Sequence, residues 1–176
     1  RPPRSTLFPY TTLFRSGVSI HHAGWMVAAF EISGIVGMLV AGWATDRFFG
    51  GRGPRVCVIC MALATVFVAL FWGISQPPMW LATLLLGAAG FCIYGPQALV
   101  GIAAANIATK KAAATAVGFT GLFGYASTLV SGWGLGLLAQ HYGWNIAVGA
   151  LILIAIMGTL IFMAAWSAKA NGYDND

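Results

Sequence analysis

Four of the polar side chains within otherwise apolar stretches of the sequence are placed where they could bind a solute. Glu31 is the only charged residue inside such a stretch. Tyr94 and Gln97 lie three residues apart in another stretch, so a hydroxyl and an amide project from one face of a helix. Tyr125 lies in the stretch that follows. Carboxylate, phenol and amide groups all form hydrogen bonds, so we consider these four residues candidates for lining a substrate cavity.

Glu31 has a restricted choice of environment. If its apolar stretch crosses a membrane, its helical position places it ~10 Å below the outer boundary of that membrane. Exposure of a carboxylate to lipid there costs several kcal/mol, so we expect Glu31 to face a helix bundle and either pair with a cation or carry a proton. The other apolar stretches contain no Lys or Arg, so the partner would lie outside this sequence or be the coupling ion of a bound ligand. A structural ion pair and a direct ligand or coupling role both remain open.

Glycines mark the two stretches that contain the tyrosines. Gly95-Pro96 interrupts the first of them; proline removes a backbone hydrogen bond, so we expect the helix to break and bend there. Small and polar residues at helical spacing form a stripe on the second: Gly118, Gly121, Tyr125, Thr128 and Gly132. Gly132 and Gly136 also form a small-residue packing motif. The stripe could serve helix packing alone, or present Tyr125 to a ligand.

Composition determines what kind of elements must position these residues. The chain is 59% hydrophobic and 7% charged, with a mean hydropathy of +0.82, whereas ordinary globular domains are roughly a quarter charged. We therefore predict an all-α integral membrane protein. Its five transmembrane helices are expected at about 25–44, 56–75, 79–107, 113–140 and 144–166. At ~1.5 Å per residue, each can cross ~30 Å of hydrocarbon.

The basic residues after residue 16 predict the orientation of these helices. They fall only in alternate loops and in the tail: Arg47, Arg52, Arg55, Lys110, Lys111 and Lys169. This distribution is typical of cytoplasmic loops, so we expect these loops, the carboxy terminus and the tail at 171–176 to be cytoplasmic. We therefore interpret the basic residues as determinants of membrane topology, and we expect no nucleic-acid partner.

No motif in the sequence indicates an enzyme, a metal site or a cofactor. Cys57 and Cys60 form a C-x-x-C pattern within an apolar stretch, without a second ligand pair. We interpret them as buried thiols. His21 and His22 are expected in an exposed outer loop.

Residues 1–16 differ from the rest of the chain. They contain three arginines and three prolines and have no helical periodicity. At every position they resemble the translation of a common short-read sequencing adapter, so we regard this segment as an artefact and exclude it from the fold. We expect the native sequence to begin at or just after Gly17, with its amino-terminal part missing.

Two kinds of motif resemble a known family. Gly42-x-x-x-Asp46-Arg47, followed by Arg52, resembles the loop signature of the major facilitator superfamily, with a longer glycine-rich spacing before Arg52. Asp46, at the end of a helix, is expected to pair with a loop arginine or a neighbouring helix N-terminus. Three further strings resemble the carboxy-terminal half of the organophosphate:phosphate antiporters: FEISGIVGMLVAGWATDR, GFCIYGPQALVGIAA and KKAAATAVGFTGLFGY.

The resemblance implies a fold, a function and roles for individual residues. The five helices would correspond to helices eight to twelve of a twelve-helix transporter in the bacterial inner membrane. Glu31 matches an acidic residue on the eighth helix, and Tyr94 and Tyr125 match cavity tyrosines on the tenth and eleventh. The family implies exchange of glycerol-3-phosphate, phosphoglycerate or hexose phosphate for inorganic phosphate by alternating access.

The resemblance also implies that this chain holds only part of the binding site. The arginines that bind phosphate in the family lie on the first and seventh helices, which this chain does not contain, and the chain would need the missing amino-terminal half for transport. Two alternatives remain open: a membrane receptor of the same family that senses sugar phosphate, and a facilitator of the superfamily that carries a non-phosphate solute.

Overall fold

The computed structural model describes residues 20–74, 77–108 and 111–167. It contains five α-helices: α1 (Ile20–Phe49), α2 (Gly53–Gly73), α3 (Met79–Ile107), α4 (Ala113–Tyr142) and α5 (Trp144–Ala164). Each is long and apolar enough to cross a membrane, which confirms the prediction of an all-α membrane protein with five transmembrane helices. The segment 1–16, Lys110 and Lys169 lie outside the described residues.

The helices follow the predicted spans, with two differences. α1 extends about five residues beyond its predicted span at each end, because the helix continues past the apolar run that was used to predict it. α3 is one continuous helix through Gly95-Pro96, so the prediction of a broken helix was wrong. Both residues are buried. Neighbouring helices therefore surround the point where proline removes a backbone hydrogen bond.

α3 lies at the centre of the described bundle. It packs against α1, α2 and α4, while α2 also packs against α5. Its buried residues follow one another along much of its length: Ala82, Leu85, Gly87, Ala89, Gly90, Cys92, Gly95, Pro96 and Leu99. By contrast, α4 has no buried residue among those described, and its Leu129 and Trp133 are 77% and 72% exposed. Such large exposed apolar side chains are suited to contact with lipid or with further helices.

Glycines allow α1 and α3 to approach closely. A Cβ atom on Gly34 would lie 2.6 Å from Cδ2 of Tyr94. A Cβ atom on Gly37 would collide with the backbone carbonyl of Phe91. Small residues of this kind bring membrane helices together, because backbones can then pack without intervening side chains. These two glycines were not recognised as packing positions from the sequence.

The same interface continues along both helices. A Cβ atom on Gly90 would meet the carbonyl and ring of Phe30. The hydroxyl of Ser33 donates a hydrogen bond to the carbonyl of Gly87, with an O–O distance of 2.7 Å. Gly95 also belongs to this contact, because a Cβ atom there would lie 2.9 Å from Cβ of Ala41. The α1–α3 interface thus combines backbone packing with an interhelical hydrogen bond.

The glycine stripe of α4 behaves differently. A Cβ atom added at Gly118, Gly121, Gly132 or Gly136 would meet nothing within 4 Å. The predicted close packing at these positions is therefore absent within the described bundle, because this face of α4 is open. A small residue at helical spacing permits a close contact, but a facing helix is needed to form it.

Candidate functional site

The four candidate cavity residues lie at similar depth. Glu31, Tyr94, Gln97 and Tyr125 are each within ~6 Å of the midpoint of their helix, measured along its axis. The structure nevertheless divides them between two places. Glu31 and Tyr94 meet at the α1–α3 interface, whereas Gln97 and Tyr125 line a cavity between α3 and α4.

Glu31 is paired with a phenol. The hydroxyl of Tyr94 donates a hydrogen bond to the Glu31 carboxylate. The Tyr94 ring fits because Gly34, one turn along α1, leaves room for it, and the ring also makes an edge contact with Phe30 at a centroid distance of 5.9 Å. We expected Glu31 to pair with a cation from outside this sequence or to carry a proton; within the described residues its hydrogen-bond partner is the hydroxyl of Tyr94 on α3. Glu31 remains exposed, so its other oxygen is accessible from the open side of the bundle.

Tyr94 and Gln97 point in different directions, although their spacing predicted that they would project together. Residues three apart on a helix differ by about 60° around its axis. α3 lies between α1 and α4, so this difference directs Tyr94 towards α1 and Gln97 towards α4. The prediction of one shared site was thus too simple, because it ignored the helices on either side of α3.

The α3–α4 cavity has a volume of about 590 Å³. Polar side chains line it on both helices: Gln97, Thr120, Tyr125, Ser127 and Thr128. Met61 of α2 and Phe162 of α5 contribute apolar surface. Tyr125 is 78% exposed, so its ring and hydroxyl border the open side of the cavity. A volume of this size is within the usual range for small-molecule sites.

Two of the serine and threonine residues in the α4 wall of the cavity, Thr120 and Ser127, were missed by the sequence analysis, which named only Thr128. Thr120 donates a hydrogen bond to the carbonyl of Val117 at 2.8 Å. Ser127 and Thr128 both donate to the carbonyl of Gly124, at 2.7 and 3.0 Å. The spacing of Thr120 and Ser127 from Gly124 places them on one face of α4, beside the glycine stripe and not on it, so the stripe did not indicate them.

The loop motif lies at the junction of α1 and α2. Asp46 and Arg47 are exposed and Arg52 is half-buried, while Gly42 has open space around it. Within the described residues no salt bridge or hydrogen bond joins Asp46 to an arginine or a helix N-terminus, so the prediction of such a pair is not met. The exposed carboxylate is solvated at the end of the helix, where water can replace a partner.

A cation–π contact connects this junction to the end of α5. The guanidinium carbon of Arg55 lies 5.5 Å from the ring centroid of Trp166. Arg55 is in the first turn of α2, and Trp166 follows α5. The α1–α2 turn and the chain after α5 therefore lie at the same end of the bundle.

The described residues show no cluster of three or more His, Cys, Asp and Glu side chains that could hold a metal ion. Cys57, Cys60 and Cys92 are free thiols, and Cys57 and Cys92 are buried. Cys57 and Cys92 thus agree with the interpretation of buried membrane cysteines, whereas Cys60 is half-buried.

Five helices long and apolar enough to cross a membrane, with a cavity between α3 and α4, describe a multi-pass membrane protein. The chain belongs to the Major Facilitator Superfamily, whose family model matches residues 5–172. This match begins within the segment that resembles an adapter. Membership of this family points to transport rather than catalysis.

The curated relatives of this chain include transporters of phosphate compounds and a membrane sensor protein. A probable hexose phosphate transport protein of Chlamydia pneumoniae is 39% identical over 147 residues, covering 83% of this chain and 32% of that protein. The glycerol-3-phosphate transporter of Haemophilus influenzae is 33% identical over 172 residues, covering 86% and 36%. The membrane sensor protein UhpC of Salmonella typhimurium is 32% identical over 155 residues, covering 88% and 35%. The chain thus spans about a third of the length of these relatives.

Proposed function

We propose that the complete protein containing this chain exchanges an organic phosphate for inorganic phosphate by alternating access across the bacterial inner membrane. The observation that carries the proposal is that two relatives are named as transporters of organic phosphates. One is a probable hexose phosphate transport protein and the other a glycerol-3-phosphate transporter, and each aligns with more than four fifths of the chain. Glycerol-3-phosphate, phosphoglycerate and hexose phosphate are the candidate organic substrates.

The chemistry of the described helices supports one wall of such a site. A phosphate group at mid-membrane must exchange its hydration for hydrogen-bond donors and cations. Tyr94, Gln97 and Tyr125 carry hydroxyl and amide groups near the middle of their helices, where such groups could form hydrogen bonds to an organic phosphate. The middle of the described helices contains no Lys or Arg, so cationic groups would come from the part of the protein that this chain does not cover.

Exchange in proteoliposomes tests this proposal. The complete protein is reconstituted into vesicles loaded with radiolabelled phosphate, and phosphate efflux is measured. We expect efflux to be slow in plain buffer and at least tenfold faster with external phosphate or with one of the three organic phosphates. Efflux that no external phosphate compound accelerates, from protein shown to be folded, would contradict antiport and favour a facilitator for a different solute.

A sensor is the second candidate, because one relative is named a membrane sensor protein. A sensor would bind sugar phosphate at the same cavity but move little of it. Binding measured by isothermal titration, together with exchange no faster than in protein-free vesicles, would favour the sensor. Binding together with rapid exchange would favour the antiporter.

A further inference from the structure

We propose that the α3–α4 cavity binds the hydroxyl-bearing organic part of the substrate and that the phosphate group binds elsewhere. This inference rests on the proposed function and assigns a substrate part to one cavity. It follows from the hydrogen bonds that the cavity side chains already make.

The α4 side of the cavity presents acceptors. A serine or threonine hydroxyl has one hydrogen to donate and two lone pairs to accept. Thr120 uses its hydrogen on the carbonyl of Val117, and Thr128 uses its hydrogen on that of Gly124. Ser127 does the same with Gly124. All three oxygens would therefore present lone pairs to a ligand in the cavity, and none would present a free hydrogen.

This arrangement does not suit a phosphate group. The oxygens of a phosphate dianion are acceptors, so they need donors and cations. Opposite the α4 hydroxyls they would meet other lone pairs, and a buried acceptor without a donor is costly. A glycerol or sugar unit carries O–H donors, which match these oxygens. The α4 side of the cavity is thus complementary to the O–H donors of a neutral polyol and not to the oxygens of a phosphate group.

The rest of the lining fits the same ligand. Gln97 can both donate and accept a hydrogen bond, and so can the hydroxyl of Tyr125, so either could bind a polyol oxygen. Met61 and Phe162 add apolar surface against which the C–H groups of a polyol could pack. The cavity of about 590 Å³ is large enough for a small molecule of this class.

Isosteric removal of the hydroxyls tests the assignment. The variants are Thr120→Val, Thr128→Val and the double variant, in the complete reconstituted protein. Half-maximal concentrations for accelerating efflux are measured with glycerol-3-phosphate, glucose-6-phosphate, methyl phosphate and inorganic phosphate. Methyl phosphate serves as a probe with a phosphate group and no hydroxyl-bearing carbon chain.

We expect each variant to raise the half-maximal concentration of the hydroxyl-bearing substrates, relative to inorganic phosphate, by about threefold to tenfold. The ratio of methyl phosphate to inorganic phosphate should not change. Thr159→Val is the matched control, because Thr159 of α5 donates to its own helix at 2.8 Å in the same way but lies outside the cavity. That control should change neither ratio.

Each other outcome has a defined meaning. An equal loss for all four probes, or no loss for any, would overturn the inference. If a valine variant fails to fold, Ser127→Ala must shift the same ratio in the same direction. If wild-type protein shows no acceleration by any phosphate compound, the proposed function fails, and that result is distinct from failure of the polyol site.

Discussion

Glu31 and Tyr94 form a hydrogen-bonded pair at a depth where an isolated carboxylate would be unstable. The hydroxyl of Tyr94 compensates part of the lost hydration of Glu31. The pair also restricts Tyr94, because a hydroxyl donates only one hydrogen bond at a time. A phosphate group that used Tyr94 as a donor would have to compete with Glu31 for it.

The first prediction at this scale concerns that pair. We expect Glu31→Gln and Tyr94→Phe each to lower the free energy of unfolding by roughly 1–2 kcal/mol, because each weakens one hydrogen bond to a charged group. The double variant should lose about 1 kcal/mol less than the sum of the two, because the same bond is removed twice. The measurement is chemical unfolding of the complete protein in mixed micelles.

The matched control for this cycle uses the other tyrosine. Tyr125 is 78% exposed, and it makes no hydrogen bond to another residue in the described part of the chain. Tyr125→Phe combined with Glu31→Gln should therefore be additive. Additivity of Tyr94→Phe with Glu31→Gln would contradict the hydrogen bond between them.

At the residue scale, the sequence allowed the depth of a side chain along its helix to be predicted, but not the residue that the side chain contacts. The position of Glu31 or Tyr125 along its helix follows from a fixed rise per residue. The partner of Glu31 depends on how α1 and α3 are rotated against each other. That rotation is determined by Gly34 and Tyr94, which are far apart in the chain. A carboxylate and a phenol near the middle of two spans were the available signal for the pair.

At the scale of elements, α1 and α3 are the most closely packed helices of the described bundle. Their contact relies on backbone approaching backbone at Gly37 and Phe91. A carbonyl in a helix cannot rotate out of the way as a side chain can. Any side chain at position 37 must therefore push the two helices apart.

Substitution at Gly37 tests this contact. We expect Gly37→Ala to lower the free energy of unfolding by about 1–3 kcal/mol, because an inserted methyl group overpacks the interface. Gly132→Ala is the matched control on α4, where a Cβ atom would meet nothing within 4 Å. That control should be neutral or slightly stabilising, because alanine favours helix more than glycine does.

Equal losses at Gly37 and Gly132 would contradict the difference between the two faces.

The outcome also bears on what could be predicted from the sequence. Both glycines lie at helical spacing from other small residues, and the sequence analysis selected Gly132 instead of Gly37 as a packing position. Spacing alone cannot distinguish them, because the difference is whether a second helix faces the glycine. The five helices themselves could be predicted, because apolar length alone determines a membrane span.

At the scale of the whole molecule, the described Lys and Arg residues all lie at one end of the bundle. Arg47, Arg52 and Arg55 flank the α1–α2 junction, and Lys111 lies between α3 and α4. The contact between Arg55 and Trp166 brings the end of α5 to the same side. We refer to this side as the basic end. Basic loops are retained in the cytoplasm during insertion, so this end is proposed to be cytoplasmic.

Labelling of the two ends of α4 tests this orientation. Ala112→Cys lies at the basic end and Tyr142→Cys at the opposite end, and both positions are exposed. They are introduced into the complete protein without its other cysteines, with Cys57, Cys60 and Cys92 replaced by alanine. In intact spheroplasts a membrane-impermeant maleimide should label Tyr142→Cys and leave Ala112→Cys unmodified. Permeabilised spheroplasts should show labelling of both. Labelling of Ala112→Cys alone in intact spheroplasts would contradict this orientation.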